Sequence, residues 1–62
     1  MGDYRLYCLD GAGRISLAQW IEANSDEDAI ALVRAMKPDA LKCEIWQGPR
    51  LVARLDGRDL SA

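Results

Sequence analysis

Ser25-Asp26-Glu27-Asp28-Ala29-Ile30-Ala31-Leu32-Val33-Arg34-Ala35-Met36 decides how the rest of the chain reads. Ala29, Leu32, Val33 and Met36 recur at the i, i+3, i+4, i+7 spacing of one helix face, and Ile30 widens the stripe. Ser25 supplies an oxygen for the first free amides, and Asp28 three residues later completes a variant of the capping box. Asp26, Glu27 and Asp28 set negative charge against the positive end of the helix dipole, while Arg34 and Lys37 suit its negative end. Pro38 stops propagation. The spacing predicts a helix over 26–37. Successive helical carboxylates point in different directions and solvate easily, so the acidic triplet reads as capping and no metal is assigned to it.

On both sides of this helix the period drops from 3.6 to two, the signature of strands. Before it, Tyr4, Leu6 and Cys8 alternate with Arg5, Tyr7 and Leu9. Asp10-Gly11-Ala12-Gly13 then offers two glycines that tolerate positive φ and a carboxylate that can bond its own backbone, which is hairpin chemistry. The run leads from strand to strand with no helix start behind it, so it is no phosphate cradle. Ile15, Leu17 and Ile21 then share one face, opposed by Ser16, Ala18, Trp20 and Glu22. Gln19 interrupts the apolar face. Either this strand is a sheet edge where the amide reaches water, or a bulge turns Trp20 inward, and the edge is the preferred reading.

After Pro38, Leu41, Cys43 and Ile45 alternate with Lys42, Glu44 and Trp46. Gln47-Gly48-Pro49-Arg50 makes the turn, and Leu51, Ala53 and Leu55 alternate with Val52 and Arg54 up to Asp56-Gly57. Residues 58–62 form a short polar tail that frays unless Leu60 docks. The strands are thus expected over 4–9, 15–23, 41–47 and 51–56. The fold class that follows is α+β: a two-layer ββαββ domain spanning 1–62, with a four-stranded, mainly antiparallel sheet and one helix on one face. An all-antiparallel order 2-1-3-4 fits the connections, although periodicity alone does not choose neighbours. The helix is expected to cover Leu6, Cys8, Ile15, Leu17, Ile21, Leu41, Cys43, Ile45, Leu51, Ala53 and Leu55.

That leaves the other sheet face. It collects Tyr7, Leu9, Trp20, Trp46 and Val52, interleaved with Arg5, Lys42, Glu44 and Arg54. One helix covers one side only, and exposed apolar patches on small proteins mark interaction surfaces. Trp, Tyr and Arg are also the residues enriched at binding hot spots. A chain of 62 residues is marginal as a lone domain, so a partner subunit is a natural complement. Self-pairing about a two-fold axis needs only one patch. The site expected from sequence is therefore an interaction face of Tyr7, Leu9, Trp20, Trp46, Val52, Arg5, Lys42 and Arg54, with a homodimer as its first use. Presentation of the same face or a strand edge to another protein or a small ligand comes second.

Composition narrows the remaining classes. Half the residues are hydrophobic and 29% charged, with 5 Gly and 2 Pro, a balance found in folded rather than disordered chains. A net charge of −2 gives no clustered basic surface for phosphates, so a platform that stacks single-stranded bases ranks third. There is no histidine, and neither Cys8 nor Cys43 has a recognisable partner base; Ser16, Ser25 and Ser61 lack nucleophile-elbow context. No enzyme, no cofactor and no metal site are expected. Two cysteines are too few for a cysteine zinc site. Both read as reduced thiols packed as small hydrophobes on one side of the sheet, in keeping with a reducing cytosol. Met1-Gly2-Asp3-Tyr4-Arg5 enters a strand directly, and no apolar run is long enough to span a bilayer, so no export signal or membrane contact is expected and the cytoplasm is the expected location.

The run Tyr4-Arg5-Leu6-Tyr7-Cys8-Leu9-Asp10-Gly11-Ala12-Gly13-Arg14-Ile15, with Ile21-Glu22-Ala23, Asp26-Glu27-Asp28-Ala29-Ile30, Ile45-Trp46-Gln47-Gly48 and Leu51-Val52-Ala53, resembles short uncharacterised proteins of alphaproteobacteria. These are turn and core residues, and the resemblance implies no activity. The hairpin followed by an Asp-Glu-Asp-Ala-Ile helix start is also similar to antitoxins of the HicB type, without their early proline-rich segment or DNA-binding tail. That similarity implies, at most, partner binding through the sheet.

Overall fold

A computed structural model describes residues 2–36 and 42–56. They form β1 (Gly2–Leu9), β2 (Ile15–Ala23), α1 (Asp26–Met36), β3 (Lys42–Gln47) and β4 (Arg50–Asp56), an α+β arrangement in ββαββ order. The sheet runs β2-β1-β3-β4, an order the sequence allowed without choosing it, and every neighbouring pair is antiparallel. Lys37, the Pro38 stop, Leu41 and the 57–62 tail lie outside the described residues.

The cap and the first turn form as read. Ser25 Oγ accepts from the Asp28 amide at 3.1 Å, and the Ser25 carbonyl accepts from the Ala29 amide at 3.0 Å. In the first hairpin Asp10 Oδ1 accepts from the amides of Ala12 and Arg14 at 2.9 and 3.0 Å, while Gly13 takes the positive φ of 80°. A side chain bigger than hydrogen would strain there.

The covered face is closed by Tyr4, Leu6, Cys8, Ile21, Ala23, Ala29, Val33, Cys43, Ile45 and Leu55, with Leu17, Ile30, Val52 and Ala53 packed against them. The helix seats Ala29 and Val33 on the sheet and leaves Leu32 and Met36 partly in water, so the expected four-residue stripe is buried only along its central row. Gln19 stays in register opposite Leu6 on the edge strand, and its amide donates to Met36 Sδ at 3.9 Å. The edge reading of Gln19 was the right one.

Strict alternation fails once in each return strand. Gly48 (φ 60°) followed by Pro49 makes a two-residue loop closed by Gln47 and Arg50, the pairing of positive and negative φ that defines a type II′ turn. Continued without interruption, that register would set Arg54 against buried Cys43. A bulge between Ile45 and Trp46 shifts β4 by one residue, so that Leu55 meets Cys43 and Ala53 meets Ile45. Val52 therefore packs against the core and Leu51 stands opposite Trp46, which reverses both expected placements. In β2 a register shift after Cys8 likewise pairs Ile15 with Leu9 and leaves it 60% exposed, outside the core it was expected to join.

Cys8 and Cys43 are Cα partners 4.0 Å apart in the two central strands, and they are joined as a disulfide. This corrects the expectation of free thiols. Both sulfurs do lie on the covered side, as alternation required, and neither residue is exposed. Adjacency of β1 and β3 is what brings residues 35 apart in sequence into bonding range.

One polar cluster ties the helix start to the second hairpin. Tyr4, buried by its ring, donates its hydroxyl to Asp26 Oδ1 at 2.9 Å. Arg50 clamps both Asp26 oxygens at 2.9 and 3.0 Å and also donates to Gln47 Oε1. The Arg50 hydrogen bonds, followed by that of Tyr4, hold the Asp26 carboxyl down at about 2. Burial, then the hydrogen bond to Asp26, raises the Tyr4 hydroxyl, and the Asp26 hydrogen bond raises Arg50.

Candidate interaction face

Alternation in β1 sends Asp3, Arg5, Tyr7 and Leu9 away from the helix, because Tyr4, Leu6 and Cys8 take the covered side. Register then builds rows across the sheet. Arg5 is the Cα partner of Trp20 on one side and of Trp46 on the other. Tyr7 stands between Ala18 and Glu44, and Glu44 in turn meets Arg54. The two tryptophans, far apart in sequence, thus flank a single arginine.

The Arg5 guanidinium carbon lies 4.9 Å from the centroid of a Trp20 ring and 5.4 Å from that of Tyr7, both within cation–π range. Its Nε is sealed from solvent with no hydrogen-bond acceptor. Such a donor costs about 1–3 kcal/mol when left unsatisfied. Trp46 Nε1 donates to Glu44 Oε1 at 3.1 Å, and Arg54 Nε lies 3.4 Å from Glu44 Oε2. Glu44 therefore pins the Trp46 ring and compensates Arg54, leaving Arg5 without a carboxylate among the described residues. Arg5, Tyr7, Trp20, Trp46 and Gly48 line a shallow depression of about 330 Å³. Trp20, 66% exposed, forms one open wall of it.

Of the eight residues expected on this face, four converge: Arg5, Tyr7, Trp20 and Trp46. Leu9 and Lys42 pair with each other two rows away, toward the first hairpin. Arg54 is held by Glu44, and Val52 turns to the core. Sequence reading underused Glu44, which alternation already put on this face, and missed Leu51 and Gly48. The signal for Leu51 was the conflict between a two-residue Gly-Pro loop and the need to bury Leu55, which only a bulge resolves.

Among the described residues no group of three or more Cys, Asp and Glu side chains could hold a metal ion. No described helix is long and apolar enough to cross a membrane. No protein family, curated protein or solved structure matches this chain.

Proposed function

We propose that this chain is a non-enzymatic interaction protein that self-associates through the uncovered sheet face. The observation that carries this reading is the Trp20–Arg5–Trp46 row: two indoles and a stacked guanidinium with an unmet donor, on the side that the single helix leaves open. Aromatic and arginine anchors of this kind contribute most of the energy of protein interfaces. A closed pair of copies would bury both rows at once and supplement a core that is small for an independent domain.

A second reading has its own support. The depression beside Arg5 is of a size that small ligands fill, and its rings and cation suit a planar anion or an acidic segment of another protein. Light scattering over a dilution series, with tryptophan emission on wild type and Trp46→Glu, separates the two. A dimer with blue-shifted emission that Trp46→Glu converts to a monomer supports self-association. A concentration-independent monomer with quenchable indoles refutes it and leaves the ligand reading.

The Cys8–Cys43 disulfide between the central strands persists best in an oxidising compartment, against the cytoplasm expected from sequence. Mass measurement after alkylation of the freshly isolated protein, unfolded in urea without reductant, separates the two: two added alkyl groups support a cytoplasmic setting, and none supports an oxidising one.

A further inference from the structure

Asp3 and Glu22 are direct cross-strand partners, both exposed and both on the uncovered face. Like charges placed opposite one another in an antiparallel pair repel. Neither carboxylate has a cation among the described residues. One row along, Arg5 shows the inverse deficit, a cation without a carboxylate. The two rows are separated by two residues of strand, about 7 Å. Arg5 does not meet the acids within its own chain, because its guanidinium leans toward Tyr7, the neighbour on the far side from Asp3.

An acidic pair beside an unpaired arginine on one face is self-complementary under a two-fold axis that lies in the interface, parallel to the sheet and across its strands. We infer that two copies dock face to face about an axis between these rows, so that Arg5 of each copy meets the Asp3–Glu22 carboxylates of the other. This rests on the self-association reading and gives it a register. The same placement sets the Trp20 side chains of the two copies beside the axis, where their exposed rings are buried together. It also supplies acceptors to the guanidinium, and in a water-poor interface such charge-assisted hydrogen bonds are stronger and more selective than at an open surface.

The test is a charge swap read by the dimer dissociation constant, measured by sedimentation on Glu22→Arg, Arg5→Glu and the double variant, each first checked for native far-UV circular dichroism. Glu22 is exposed, so its variant keeps the fold even where Arg5→Glu does not, and Asp3→Arg serves as the second single variant in that case. We expect each single substitution to weaken the dimer at least about tenfold. The double variant recovers most of the loss, because the exchanged charges still meet across the axis. A dimer that Glu22→Arg and Asp3→Arg leave unchanged overturns this register while self-association stands. Losses that simply add in the double variant overturn it too. A wild-type chain that stays monomeric at every concentration overturns both readings.

Discussion

The two faces of this sheet are built by the same four strands, yet they reach opposite ends. On the helix side every apolar row finds a cover within the chain: Leu6, Cys8, Cys43 and Ile45 are wholly buried under Ala29 and Val33. On the other side the central row is Trp20–Arg5–Trp46, with Trp20 exposed and the other two half-buried, held by stacking and by Glu44. An eleven-residue helix lies over one face of the four-stranded sheet, and among the described residues there is no second layer for the other. Where a chain cannot close a face by itself, aromatic residues there offer area for another molecule to close. The covered face thus carries stability, and the open face is where we propose that recognition takes place.

Substitutions that break this division should differ in size and in readout. The largest loss is expected for Leu6→Ala, at the wholly buried centre of the covered face, where the cavity costs about 4 kcal/mol. Urea titration followed by circular dichroism would show an unfolded or nearly unfolded chain; a fully stable variant would refute the placement of the core. Reduction of Cys8–Cys43 comes next. Opening a crosslink between residues 35 apart is worth about 3.8 kcal/mol through the unfolded state, and the urea midpoint should fall accordingly on addition of reductant. An unmoved midpoint would mean that the sulfurs contribute only packing.

A smaller and pH-bound effect belongs to Asp26. Its folded value of about 2 lies below the ordinary 3.8, so its contribution is fully present above about pH 4 and is lost as pH falls from there toward 2. Asp26→Asn should flatten that part of the stability profile, and an unchanged acid limb would assign acid sensitivity to other carboxylates. Smallest is Trp20→Ala. Removing a ring that is 66% exposed should change monomer stability by less than about 1 kcal/mol, chiefly the lost stack on Arg5, while weakening self-association. A large loss of monomer stability instead would erase the contrast between the faces.

The helix was legible because its signals are local. Ser25, the acidic first turn and the 29–33 spacing all act within one or two turns of backbone, and they appear where the sequence put them. The face assignment of Arg5, Tyr7, Trp20 and Trp46 was legible too, since alternation survives along most of each strand. It misled at Ile15, Leu51 and Val52, all next to hairpin turns. There the loop geometry and the hydrophobic pattern ask for registers one residue apart, and a bulge absorbs the difference. Alternation also could not say that Arg5 would lean toward Tyr7 rather than Asp3, because that choice depends on the indole delivered by a neighbouring strand.

By itself, then, the amino-acid sequence determined the order of strands and helix, the cap, both turns and the sidedness of the aromatic residues, since each follows from interactions a few residues apart. Only tertiary structure decided the rest. Setting β1 between β2 and β3 joined Cys8 to Cys43, placed both tryptophans beside one arginine, and left that arginine without a carboxylate among the described residues. Those outcomes depend on which strands become neighbours, which is fixed by how the whole chain buries its single core.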